Sequence, residues 1–161
     1  MAKARKDTKE TQNAVEMLTE DHRRVEKLID KFEKSKPGNG MEDIVRAACN
    51  ELKVHAQLEE EVFYPAVRAG IKEEDLIDEA EVEHTVAKQL IAELEAMSPD
   101  DELYVAKFTV LGEYVKHHVE EEEGEMFVQA KRAKIDMGEL GEEMQRRKLE
   151  IQQELGYSPQ M

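Results

Sequence analysis

His55-Ala56-Gln57-Leu58-Glu59-Glu60-Glu61-Val62-Phe63-Tyr64-Pro65 decides how this chain is read. It has an echo at His118-Val119-Glu120-Glu121-Glu122-Glu123-Gly124-Glu125-Met126-Phe127. Each segment places a histidine and a glutamate four positions apart, which on an α-helix stacks the two side chains on one face, one turn from each other. Bulky apolar residues come one to two turns further on, so that face points toward a core. A histidine and a carboxylate turned inward are costly unless something satisfies them, and a metal ion would do so.

Working outward, helical periodicity accounts for most of the chain. From about Thr11, Val15, Leu18, His22, Val25, Leu28, Ile29 and Phe32 form one stripe, which stops at Lys36-Pro37-Gly38-Asn39-Gly40. A second helix from about Met41 turns Ile44, Ala48, Leu52, His55, Leu58, Glu59, Val62 and Ala66 inward, with Pro65 near its end to kink or stop it and Gly70 as its C-cap. A third, from near Glu73, does the same with Leu76, Ile77, Ala80, His84, Ala87, Leu90, Ile91 and Leu94. Ser98 as N-cap and Pro99 at the first helical position open a fourth. Its stripe is Tyr104, Phe108, Leu111, Tyr114, Val115, His118, Glu122 and Met126. After a break at Asp136-Met137-Gly138, Glu139 to about Leu155 reads as a shorter helix outside the bundle, with Leu140, Met144 and Leu149 inward. The expected fold is all-α: an up-down-up-down four-helix bundle with an internal two-fold repeat and an additional short C-terminal helix. Residues 1–10 form a disordered tail, 11–135 the bundle, and 136–161 the C-terminal helix and tail.

The repeat carries the chemistry. His22 and His84 lie 62 residues apart; His55 and His118, and likewise Glu59 and Glu122, lie 63 apart. Asp21-His22 aligns with Glu83-His84, and Leu28-Ile29 with Leu90-Ile91. Two helix pairs facing each other would bring two histidines and one glutamate from each half to the centre. His117 has its own partner four residues on, Glu121, but its face also carries Glu113 and Glu125, so His118 is the inward residue and His117 is solvated. A plain structural bundle with scattered histidines would have to explain why four of the five fall on inward stripes, one per long helix.

Imidazole and carboxylate without thiolate suit iron, manganese or zinc, and four histidines with two glutamates suit two ions better than one. A ferritin-like site would need two Glu-x-x-His motifs, and only Glu81-Val82-Glu83-His84 supplies one. Cys49, the single cysteine, allows no intramolecular disulfide and no thiolate cluster; packing is its expected role. With a net charge of −15, neither nucleic acid nor an anionic membrane is an expected partner. The basic, polar first ten residues lack a signal-peptide core, and no run is long enough to span a membrane, so a cytoplasmic setting is the default expectation.

These blocks, in this order over about residues 14–133, resemble those of the hemerythrin family in its bacterial HHE cation-binding branch. Leu140-Gly141-Glu142-Glu143-Met144 is similar to the segment after the bundle in that branch. The resemblance implies a non-haem, oxo- or hydroxo-bridged pair of iron ions, ahead of manganese or zinc. His22 and His55 would bind one iron and His84 and His118 the other, with Glu59 and Glu122 bridging. It implies a small-molecule ligand such as O2, NO or peroxide, and a monomer or weak homo-oligomer. One departure stands out: oxygen-carrying members use a fifth histidine one turn after the third-helix ligand, where this chain has Lys88. Glu26, its counterpart in the first helix, reads as a solvated carboxylate beside Arg23 or Lys27. Fewer protein ligands leave exchangeable positions, which favour ligand chemistry or sensing over simple oxygen carriage. The expectations are therefore a di-iron protein that binds or senses O2, NO or related oxidants, a small redox enzyme that consumes them, or an iron-storage bundle. Tyr104 and Tyr114 are candidates to offer a phenol to the site.

Overall fold

The computed structural model describes residues 12–35 and 40–158; the tail at 1–10 and most of the Lys36–Gly40 breaker lie outside them. The described residues form helices and connecting turns, with no strand among them. The first rod is α1 (Ala14–Ser35). The second is α2 (Met41–Leu58), continued through a π-helical turn (Glu59–Phe63) into α3 (Tyr64–Arg68). The third is α4 (Asp75–Glu95). The fourth is α5 (Tyr104–Glu121), continued through a second π-helical turn (Glu122–Met126) into α6 (Phe127–Arg132). The last is α7 (Met137–Leu155).

α1 pairs with α2 and α4 with α5, and the pairs close into a four-helix bundle through α1 against α5 and α2 against α4. α7 lies outside that square, along α1, α2 and the first π turn. None of the helices is long and apolar enough to cross a membrane among the described residues. Two apolar clusters fill the interior. One contains Leu18, Leu58, Phe63, Val67, Ile77, Met126 and Phe127 and extends under α7 to Met144 and Ile151. The other, toward the opposite end, contains Val25, Ile29, Phe32, Ala48, Ile91, Phe108 and Leu111. Each fully buried Leu, Ile or Phe contributes roughly 1.5–3 kcal/mol, and this is the force that lets a layer of buried polar side chains sit between the two clusters. Cys49 belongs to the second cluster, where burial above all pushes its thiol up to about 12, so it is packing, as expected.

Several local expectations are corrected. α5 begins at Tyr104, not at Pro99; Ser98 and Asp101 instead close a tight turn, Asp101 accepting from the Ser98 N–H and Ser98 Oγ from the Asp100 N–H. The expected break falls at residues 133–136, and Asp136 ends it as the N-cap of α7, accepting from the Glu139 N–H at 2.9 Å. α7 has 19 residues, so it is not short. It ends at Gly156, whose φ of 66° lets the Gly156 and Tyr157 N–H groups return to Gln153 and Gln152. Gly70, expected as a cap, does not adopt a positive φ. Leu149 is 52% exposed, whereas Leu140, Met144 and Ile151 are buried. Gly141 marks where α7 crosses the start of α1: a Cβ there would stand 2.5 Å from the Gln12 carbonyl oxygen.

Candidate metal centre

His22 on α1, His55 on α2, His84 on α4 and His118 on α5 turn their Nε2 atoms toward Glu59 and Glu122, the first residues of the two π turns. Glu59 spans both halves of the bundle, with one oxygen 3.3 Å from His55 Nε2 and the other 3.1 Å from His84 Nε2. Glu122 mirrors it, 3.0 Å from His22 Nε2 and 3.5 Å from His118 Nε2. The His22 and His55 rings lie 4.9 Å apart and the His84 and His118 rings 5.0 Å, so the 62–63-residue repeat is realised in space. The ligand-capable atoms of His22, His55, Glu59 and Glu122 lie within 4.8 Å of one another, as do those of Glu59, His84 and His118.

The opposite ring nitrogens are all held the same way. Nδ1 donates to Glu123 in His22 (2.7 Å), to Asp21 in His55 (3.0 Å), to Glu60 in His84 (2.7 Å) and to Glu83 in His118 (2.5 Å). An outer carboxylate fixes both the tautomer and the plane of an imidazole and raises its basicity, the usual companion of a metal-ligating histidine. It leaves Nε2 of the neutral ring as the lone-pair atom facing the centre. A lone pair facing a carboxylate oxygen at this range is repulsive, so a proton or a cation belongs in each gap. His55 Nε2, Glu59 Oε2 and His118 Nε2 are fully buried without a hydrogen-bond partner. The residues thus fit a pair of cations. In the metal-free chain protons meet the need at His55 and His118. Burial alone would lower the His55 pKa, but the charge of Glu59 and the bond to Asp21 raise it to about 10. Burial opposes the same rise in His118, which still reaches about 11 through Glu122 and Glu83. Burial would raise Glu122, yet the bonds from His118 and His22 hold it well below the ordinary carboxylate range.

The π turns aim the carboxylates. In each, the N–H that closes the turn reaches five residues back, from Tyr64 to Glu59 and from Phe127 to Glu122. Such bulges recur at functional sites. Pro65 lacks an N–H and needs room at the carbonyl four residues back, and the widened turn supplies it; of the expected kink or stop, the winding is interrupted just before Pro65 and the helix ends at Arg68. Proline is not the general cause, since Val128 stands at the matching place.

Tyr64 is a site residue that sequence pattern does not disclose. Its hydroxyl lies 2.6 Å from Glu122, 3.0 Å from Glu59 and 3.3 Å from His84 Nε2. Burial first, then the two carboxylate charges, push the phenol well above its usual range, so it remains a neutral donor. The two tyrosines expected as candidates differ from it. Tyr104 packs with Phe108 and Cys49 in the second cluster, away from the site. Tyr114 lines an apolar cavity of about 40 Å³ that also touches Leu52, Ala87, Ile91, Val115 and the four histidines. Lys88 lines the same cavity and donates its ammonium to Glu60 at 2.6 Å. Glu26 pairs with Arg23 as expected but is half-buried, whereas His117, 63% exposed beside Glu121, is solvated, as expected.

The hemerythrin HHE cation binding domain model matches residues 13–130. A curated relative, a DNA nickase from Nostoc sp., is 27% identical over 150 residues; the match takes in 92% of this chain but only 42% of that protein, less than half its length. The crystal structure of a hemerythrin HHE cation binding domain-containing protein from Mycobacterium kansasii superposes with a TM-score of 0.76 at 24% identity, covering 89% of each chain, and so shares the fold. A family match over well over half of its length, on a bundle that gathers histidines and glutamates at its centre, shows that the chain belongs to the hemerythrin HHE cation-binding family.

Proposed function

We propose that this chain holds two iron ions and uses them to bind or sense a small oxidant such as O2 or NO. His22 and His55 would hold one ion, His84 and His118 the other, with Glu59 and Glu122 shared between them. The observation that carries this reading is the arrangement of the four imidazoles: each Nε2 faces one of the two shared carboxylates, and each Nδ1 is fixed from behind by another. When bound, the ions supply redox and Lewis-acid chemistry at exchangeable positions. The protein's own part is selection and support. The apolar cavity beside His55, His84 and His118 has room for a diatomic molecule and disfavours ions. Tyr64 ties Glu59 to Glu122 and keeps a proton at the centre. That buried proton donor also favours a second reading, turnover of peroxide. Cleavage of DNA is not carried over from the Nostoc relative, since a net charge of −15 works against a phosphate backbone as partner.

Metal analysis of protein purified without added metal tests the ion pair; two irons per chain are expected, and fewer than two would sink the reading. Mixing the reduced protein with O2 then separates the two functions. A lasting charge-transfer band that bleaches on degassing supports binding. Rapid oxidation without an adduct, with peroxide turnover above that of free iron, supports the enzyme.

A further inference from the structure

The outer carboxylates behind the four histidines are not equivalent. Glu123 is braced by Arg23 and Glu60 by Lys88, both long side chains at the surface of the four-helix bundle itself. Asp21 is different. It is 2% exposed, it faces His55, and one of its oxygens accepts from Lys148 Nζ at 2.8 Å. Arg24 of α1 reaches the same oxygen. Lys148 belongs to α7, which lies beyond the family match at 13–130. Its side chain is only 14% exposed, unusual for a lysine. It stands on the inward stripe of α7, one turn after Met144 and three residues before Ile151, the two residues that anchor the helix in the core. A hydrophobic reading of α7 passes over it, because it is a cation among apolar neighbours. The same helix crosses α1 at Gly141 too closely for a side chain, so the registry of Lys148 over Asp21 is fixed.

Burying an ammonium is expensive unless a partner repays it, and the partner here is the residue that orients one histidine of one half-site. We infer that α7 is part of the metal centre, and that Lys148 is a positioning residue which, through Asp21 and His55, sets how firmly the ion of the His22–His55 half is held. This rests on the two-ion reading above. The relay is a chain of three hydrogen-bonded groups, Lys148 to Asp21 to His55. Without the Lys148 ammonium, the first oxygen of Asp21 keeps only the half-exposed Arg24, so the carboxylate that presents its second oxygen to His55 is held by one cation instead of two. The His84–His118 half has no counterpart from α7: Glu60 and Glu83 take their partners from α4 and α5. The repeat thus builds two similar half-sites, and the added helix makes them unequal.

The experiment compares the full chain with Lys148→Met, which keeps the stem, and Lys148→Arg, which keeps the charge. Each is loaded with ferrous iron, and its release to excess chromogenic chelator is followed. Lys148→Met is expected to speed one of two release phases about 10-fold, the lower end of what loss of an outer-shell partner does, while leaving the other unchanged. Lys148→Arg is expected to recover the slow phase. Arg147→Met, on the same helix but bonded to the exposed Glu61, should change neither. Ring-nitrogen resonances of the metal-free protein give a second readout: Lys148→Met should move those of His55 and leave those of His84 and His118. Wild-type release kinetics in Lys148→Met, equal acceleration of both phases, or unmoved His55 resonances would each overturn the inference. Fewer than two irons in the wild type would instead remove the reading on which it rests, while the resonance test would still judge the relay.

Discussion

Tyr64 and Phe127 hold matching places, 63 residues apart, at the exits of the two π-helical turns, and only Tyr64 carries a hydroxyl into the space between Glu59 and Glu122. Each ring lies against a histidine of the other half: Tyr64 on His84 at 5.4 Å and Phe127 on His22 at 5.8 Å. The aromatic floor of the site is therefore symmetric and its proton inventory is not. Tyr64→Phe is expected to keep the fold and both ions. It should cost the metal-free protein about 1.5–3 kcal/mol, the worth of a hydrogen bond to a charged group. Urea unfolding with and without metal checks this; an unchanged midpoint in the metal-free protein would show that the hydroxyl braces nothing.

His55→Ala and His118→Ala are each expected to lose at least one ion per chain. Both should destabilise the metal-loaded protein more than the metal-free one, because ions that bind only the folded state add their binding energy to folding. Metal content and paired unfolding curves read this directly. Full metal content in both variants would remove them as ligands.

Acidity should shape the metal-free protein in a defined direction. An imidazole whose pKa rises on folding stabilises the fold below its unfolded value of about 6.5 and ceases to do so as pH climbs through the folded value. His55 at about 10 and His118 at about 11 therefore stabilise fully below pH 6.5, and that contribution drains away toward pH 11. Glu122, held low, contributes above its unfolded pKa of about 4.3 and is lost as the solution turns more acid. A stability maximum between about pH 4.5 and 6.5 is expected, measurable as the urea midpoint against pH. Loading iron at pH 7 should also expel protons, about two per chain from these rings, visible as acidification of a weakly buffered solution. A maximum above pH 8, or uptake with no proton release, would contradict the protonation described here.

Gly141→Ala is expected to destabilise the fold by about 1–3 kcal/mol, the usual cost of overpacking, because its Cβ would meet the Gln12 carbonyl and Asn13 backbone atoms. Thermal or urea unfolding checks it, and a neutral result would mean that α7 can lift from α1 without penalty.

The bundle, its repeat and the convergence of His22, His55, Glu59, His84, His118 and Glu122 are legible in the sequence because periodicity and spacing report which face a side chain occupies. The features that are not legible depend on departures from regular winding. Tyr64 sits five residues after Glu59, and only a π turn brings that spacing onto the same face. The 63-residue repeat does point to Glu60 and Glu123 as matching partners for His84 and His22. A run of glutamates, however, offers no cue as to which of them bends inward. Lys148 escapes for the opposite reason: the cue for an inward face is an apolar stripe, and a cation occupies one of its positions. Its neighbour Leu149 satisfies that cue by residue type and is nonetheless exposed.

Each widened turn carries one residue more than an α-helix would spend on the same climb, and that surplus rotates everything beyond it by about 100°. Wound as plain α-helix, the same residues would carry the tyrosine, with the apolar residues after it, about that far off target. Lengthening this stretch by one more codon, which no single widened turn absorbs, should therefore be far more damaging than replacing the solvent-facing Glu61 within it. Its length is as strictly specified as its chemistry.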